Sequence, residues 1–422
     1  MNPLNFKLVL RTLYRNRLYT VLNVLGLSIA MASAILIFSW VRFQISYDRF
    51  HKNGPDIYRV IQDQYYTNGQ VFHVVSTSTG IARILKDNLP QIKATTRYNT
   101  EQVLIQVGET RVMENIQLVD PDFLRIFSFP LIKGNADNAL KELHSMVISQ
   151  KMAAKYFGTK NPIGEMITVD SKYPFTITGI LKDNPKNTEF ECEFLVPFEF
   201  YKECGRNTDD LNNNWIFTFV QLMPGTDPEL VNKNIESYKK EHFKDSQTKF
   251  FLQPLKRAHL FWVWGGGPIK NVRLFSIIAA LIILIAAINF TNLSTAMAVN
   301  RFKEIGLKKS FGASFPGLLK QFLSETMILS AISMIIALLL AVSFMPWFNS
   351  LLQTELTLVF TDWLFLGSVI IIMFITGILS GIYPAIYLSS FRPAVTVLKS
   401  PAKSSKRSLL REGLVVLQFT LA

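Results

Sequence analysis

The stretch NRFKEIGLKKSFGASFPGLLKQFLSET, residues 300–326, is a basic segment with a glycine break between two apolar runs, and its reading decides the fold. Each flanking run, Leu274 to Val299 and Phe322 to Phe344, is long enough to cross about 30 Å of hydrocarbon. Two more windows of this kind lie at Tyr19 to Val41 and Leu364 to Leu388. With 422 residues, 33 Phe, only 18% charged residues and a mean hydropathy of +0.23, an ordinary soluble globule is excluded. The first window holds Ala30-Met31-Ala32, a cleavage-like pattern, but its apolar run continues to Val41 and reads as a retained anchor.

Charge orients these spans. The first 18 residues carry Lys7, Arg11, Arg15 and Arg17 and no acid, and residues 300–320 carry five bases against Glu304. Residues 389–412 carry six bases against Glu412, whereas residues 346–362 carry Glu355 and Asp362 and no base. An excess of Lys and Arg marks the cytoplasmic side, so the N-terminus, the opening segment and the tail are expected there. Most of the net charge of +13 is thereby topology signal, and no nucleic-acid partner is called for. Trp40, Trp262, Trp264, Trp347 and Trp363 fall at the expected outer ends, where amphipathic rings favour the interface.

Residues 42–271 hold 28 Lys and Arg against 26 Asp and Glu, and are long enough for a folded domain with its own core. VLIQV (Val103 to Val107), MITVD (Met166 to Asp170) and FTITGI (Phe175 to Ile180) alternate as strands do. Residues Thr79 to Pro90 place Ile81, Ile84, Leu85 and Leu89 on one helical face before a proline stop. A mixed α/β or α+β domain follows. Its two cysteines, Cys192 and Cys204, either remain small thiols or pair, closing a loop of about a dozen residues worth roughly 3 kcal/mol.

No catalytic grouping emerges. His51, His73, His144, His242 and His259 are scattered, without HExxH, paired Cys/His spacing or a GxSxG serine. There is no GxxxxGK[ST] phosphate loop, so ATP chemistry, if used, belongs to another polypeptide.

In the opening stretch, Glu304 and Lys308 form an i,i+4 pair, Gly312 stands where a helix C-cap is expected, and Ser314 can cap a new helix with Pro316 in its first turn. The expectation is a short cytoplasmic helix-turn-helix. RFKEIGLKKSFGAS followed by LLKQFLSETMIL resembles the signature of the FtsX-like permease domain of ABC transporters of the MacB/LolC/LolE type. LVDPDFLRIFSFPLIKGN, MVISQKMAAKYFGTKNPIGEMITV and FTITGILKDNP are similar to landmarks of the MacB-type periplasmic core domain. FKLVLRTLYRNRLYTVLNVLGLSIAMA is similar to the N-termini of these permeases, in a form common in Bacteroidetes-like bacteria.

The resemblance implies a multi-span helical membrane protein of the plasma (inner) membrane with a large α/β periplasmic domain inserted between spans 1 and 2. The expected parts are a cytoplasmic N-terminus (1–18), a first span (19–41), the periplasmic core domain (42–272) and an FtsX-like permease domain (273–388). Within the last are spans at 273–299, 322–345 and 363–388, a coupling segment at 300–321 and a periplasmic link at 346–362. A basic linker (389–412) and the start of a fifth span (413–422) point to the front half of an eight-span chain.

The resemblance also implies mechanotransmission. A separate nucleotide-binding ATPase subunit holds ATP and Mg, and this chain needs no cofactor of its own. Arg301, Glu304, Ile305, Gly306, Lys308, Lys309, Gly312 and Ala313 would form the coupling element. Expected partners are that ATPase, membrane lipid, a second permease half or chain, and a periplasmic adaptor or lipoprotein. The work could be efflux of a drug or peptide or release of lipoproteins. The competing class is a regulator of a cell-wall hydrolase or of a histidine kinase, and an anchored ectoenzyme lacks any catalytic group.

Overall fold

The computed structural model describes residues 17–242, 248–390 and 420, with the side chains of 242 and 298–304 outside the description. The expected N-terminal basic residues up to Arg15, the linker from 391 and nearly all of the fifth apolar run lie outside the described residues. The chain divides into two units, residues 44–271 and the described parts of 1–43 and 272–422.

Among its described residues the second unit has four helices long and apolar enough to cross a membrane. They run Arg17–Ile45, Ile269–Ser310, Phe315–Leu352 and Trp363–Ser389, and are called here the first to fourth spanning helices. The second and third are longer than their apolar windows. The second continues unbroken for 42 residues, about 63 Å at 1.5 Å per residue, and carries the start of the basic stretch as its own end. The expected helix-turn-helix is thus a four-residue turn between two long rods. The third passes Pro346 and stops at Leu352, where Gln353 takes a left-handed φ of 50°. The expected link from 346 therefore begins as helix, because proline removes only one donor and its neighbours can absorb the loss.

Small residues let these helices meet. Gly377 and Gly381, four apart on the fourth helix, face the third so closely that an added Cβ at Gly381 would lie 2.1 Å from Thr326 Oγ1. At Gly377 it would lie 3.2 Å from Ser330 Cβ. Hydroxyls then bond across helices, where lipid offers no alternative partner. Ser330 Oγ donates to the Met373 carbonyl at 2.7 Å, Thr291 Oγ1 to Ser380 at 3.2 Å, and Ser28 Oγ to Ser333 at 3.0 Å. Trp347 and Trp363 are exposed, but Trp40 is buried against Phe275 with ring centroids 5.1 Å apart.

Residues 44–271 form an α/β domain around a 12-stranded sheet. Its spine runs through Thr248–Pro254, Ile57–Tyr65, Asn214–Leu222, Ile92–Val107, Thr110–Val119, Phe194–Pro197, Ser145–Ser149, Tyr173–Leu181 and Leu131–Lys133. Pairing is mostly antiparallel, with Phe194–Pro197 parallel to Thr110–Val119 and Ser145–Ser149 parallel to Tyr173–Leu181. The helix read at Thr79 to Pro90 spans Ile81–Asn88 and buries Ile81, Ala82 and Leu85. The core is aromatic: Phe123, Phe127, Phe129, Phe190 and Phe219 interlock, and the Phe127 and Phe190 centroids are 4.4 Å apart.

One buried cation is fully engaged. Arg97 bonds Asp120 and Glu199 at 2.6 and 2.7 Å, donates to the Thr208 carbonyl and lies 4.0 Å over the Phe198 ring. The candidate Cys192–Cys204 bridge is not formed, and both thiols are free. Cys192 belongs to the aromatic core, where burial pushes its thiol up, while Cys204 lies exposed in a turn.

Candidate functional site

The turn between the second and third spanning helices is made by residues the sequence marks. Gly312 has φ +88°, which only glycine adopts cheaply. Its N–H donates to the Lys309 carbonyl at 3.0 Å, and the Ala313 N–H reaches back to Lys308 at 3.0 Å. This pair of bonds is the Schellman closure of a helix end. Ser314 then caps the third helix, its hydroxyl accepting from the Gly317 N–H at 3.3 Å.

The hairpin is clamped to the end of the fourth helix. Ile305 is 1% exposed and packs with Leu318, Phe322, Ala385 and Leu388, and Ala313 rests on the same cluster. Lys309 Nζ donates to the Ser389 carbonyl at 2.6 Å, the kind of contact that satisfies the last carbonyls of a helix. Lys308 Nζ donates to Gln321 Oε1 at 3.3 Å, and Gln321 Nε2 donates to Glu325 Oε1 at 3.3 Å. Glu325 is buried within the bundle.

The eight residues proposed from sequence thus have different jobs. Ile305 and Ala313 are packing, Gly312 is the turn, and Lys308 and Lys309 tie the hairpin to its own bundle. Arg301 and Glu304 lie in the second helix, but their side chains, and hence the Glu304–Lys308 pair, lie outside the described residues. Gly306 faces open space: an added Cβ there meets nothing within 4 Å.

Sequence reasoning missed the exposed apolar residues of the hairpin. Leu307 is 61% exposed, Phe311 83% and Phe315 44%. Leu307 and Phe311 are four apart, and Leu307 lies about 200° around the helix from Ile305, so helical spacing alone could have separated a packed face from an outward one. Beside Gly306 they leave an exposed apolar surface on a hairpin that packs against the end of the fourth helix. Among the described residues no group of three or more His, Cys, Asp or Glu is placed to hold a metal.

Comparison with known proteins assigns both units. Residues 20–238 match the MacB-like periplasmic core domain, and residues 276–393 match the FtsX-like permease C-terminal domain. The chain belongs to the MacB/FtsX-type ABC transporter permeases. This permease is 22% identical over 345 residues to the uncharacterized ABC transporter permease YknZ of Bacillus subtilis, covering 78% of this chain and 82% of that one. It is 28% identical over 297 residues to the macrolide export ATP-binding/permease protein MacB of Bdellovibrio bacteriovorus, covering 68% of this chain. The permease spans 42% of that relative's length. The crystal structure of the periplasmic region of MacB from Actinobacillus actinomycetemcomitans matches with TM-score 0.37 and 14% identity, over 48% of this chain and 90% of that one.

Proposed function

We propose that this permease couples ATP hydrolysis on a separate subunit to conformational change in its domain of residues 44–271. The observation that carries the reading is the outward apolar face of Leu307, Phe311 and Phe315 on a hairpin locked to the fourth helix by Ile305 and Lys309. A partner seated on this face would push a rigid element, and the rigid element would carry the push to the fourth helix. ATP and Mg then belong to the partner. The hairpin and the N-terminus face the cytoplasm in this scheme, and the domain faces the periplasm.

Export is the favoured task, because the Bdellovibrio relative is a macrolide exporter and the domain is of the same family. Lipoprotein release is the second task this coupling would serve. The test is purification from native membranes: an ATPase with a phosphate loop is expected to accompany the wild type and to be lost from Phe311→Glu. A folded wild-type preparation free of any ATPase, from cells that express it, overturns the reading.

A further inference from the structure

The domain of residues 44–271 holds a cavity that the coupling scheme does not use. Helices Ile81–Asn88 and Pro228–His242 pack on one face of the sheet, where Val60, Leu85, Val220, Leu222 and Val231 form a buried core. Further along the same layer a cavity of about 430 Å³ opens between the helices and the strands. The sequence marks the change. Alternate residues of strand Ile57–Tyr65 face this layer, and they read Tyr58, Val60, Gln62, Gln64: apolar where the core is filled, amide where the cavity begins. A layer that merely packed poorly would keep apolar residues at these inward positions, because a buried amide costs free energy unless it is bonded.

The lining has two sides. Ile81, Ile84, Leu85 and Leu89 from one helix, Ile235 from the other and Phe250 from the sheet make an apolar wall. Gln64, Asn214 and Lys239 also line the cavity, and all three are half-buried, so a ligand can reach them. Gln64 Oε1 accepts from the Tyr66 hydroxyl at 3.2 Å, which leaves the Nε2 hydrogens without a partner among the described residues. Asn214 accepts from Ser76 Oγ through its backbone carbonyl at 3.4 Å, and its side-chain amide is unengaged among the described residues. Lys239 Nζ is 3.8 Å from Glu236 Oε1, beyond hydrogen-bond distance. None of the described residues that line the cavity is acidic.

We propose that this cavity binds a small amphipathic anion, with an aliphatic body against Ile84, Leu85, Ile235 and Phe250 and a carboxylate head. The head is taken by the Lys239 ammonium and by the amide N–H groups of Gln64 and Asn214. A cationic ligand would meet an ammonium with no acid in the lining to offset it, and a wholly polar ion would leave the apolar wall in water. The volume lies within the range of about 300–1,000 Å³ that pockets for small ligands occupy. Such binding needs no ATPase on the hairpin.

The test uses the full chain in phosphatidylcholine nanodiscs free of detergent, since detergents are themselves amphiphiles. The probes are decanoate, decanol and decylamine, each with a diazirine on its chain, and photolabelled peptides are read by mass spectrometry. The decanoate probe is expected to label residues 81–89 and 235–239 saturably and to be displaced by unlabelled decanoate, while labelling of the spanning helices rises without saturation. Decanol should need about tenfold higher concentration, and decylamine should not saturate these segments. Lys239→Gln should weaken decanoate about tenfold and leave decanol unchanged. Ile84→Trp, which fills the cavity from a half-buried position, should remove the saturable labelling, and Arg111→Gln, at an exposed base elsewhere on the domain, should change nothing. Equal saturation by decanoate and decanol, or a Lys239→Gln variant that matches the wild type, overturns the anionic head. Absence of saturable labelling at residues 81–89 and 235–239, or its persistence in Ile84→Trp, overturns the site.

Discussion

The two units of this permease are held together by opposite choices of side chain. The domain of residues 44–271 is filled by bulk: five interlocked phenylalanines, and an arginine saturated with partners. The helical unit is held by the absence of bulk, with Gly377 and Gly381 against Thr326 and Ser330, and by single hydroxyl bonds between helices. The difference follows from the solvent. In water, burying aromatic area drives folding, whereas lipid is as apolar as the side chains and rewards only close contact and satisfied polar atoms. One unit should break when atoms are removed and the other when atoms are added.

The largest effect is expected from Phe127→Ala, which empties the centre of the aromatic cluster and should cost about 3–5 kcal/mol. Thermal unfolding followed by Trp215 emission should show the domain melting earlier while the helical signal persists; concurrent loss of both would join the units into one cooperative block. Next is Gly381→Ala, a single methyl placed into Thr326, expected to cost roughly 1–3 kcal/mol as overpacking. The check is resistance of the helices to denaturing detergent, and an unchanged midpoint would refute the close-packing account.

A smaller effect is expected with pH. Burial raises the Glu199 carboxyl, but bonds from Lys202 and Arg97 outweigh it and hold it below the usual carboxylate range. A carboxyl depressed in the folded state adds stability that is present above its ordinary value of 4.5 and lost as pH falls through the folded value. The melting temperature of the domain should therefore drop as pH is taken below about 4.5, with a shallower drop in Glu199→Gln. The helical unit, whose interhelical contacts include the partly exposed Arg42–Asp362 ion pair but are mostly uncharged hydroxyl bonds and small-residue packing, should change less. The smallest effect is Thr291→Val, expected to cost about 0.6 kcal/mol in the detergent assay, the typical worth of one interhelical hydroxyl bond.

The comparison also says what the sequence could reveal. The four helices were legible because lipid demands a long uninterrupted apolar run, and the turn was legible because Gly312 and Ser314 are chemically suited to end and start helices. The strands at Val103, Met166 and Phe175 were visible from alternation. Where the third helix ends was not: Leu352 lies beyond its apolar window and past Pro346, and no glycine or proline follows to mark the stop. The division of labour within the hairpin was hidden too, since Ile305 and Leu307 are both aliphatic and only packing against Leu318, Phe322 and Ala385 tells inward from outward. Lys308 and Lys309 read as contact charges because their partners, Gln321 and the Ser389 carbonyl, are remote in sequence.

The central claim is that the hairpin passes motion from a partner ATPase to the fourth helix, and Gly306 allows it to be tested cleanly. Because the space around Gly306 is open, Gly306→Trp should leave the permease folded and inserted while obstructing anything seated beside Leu307 and Phe311. The measurement is ATP hydrolysis by the co-purified ATPase in liposomes with and without the permease. Stimulation by the wild type and its loss by about tenfold or more in Gly306→Trp, at equal insertion and equal melting temperature, is the predicted result. Undiminished stimulation by the folded variant would contradict it.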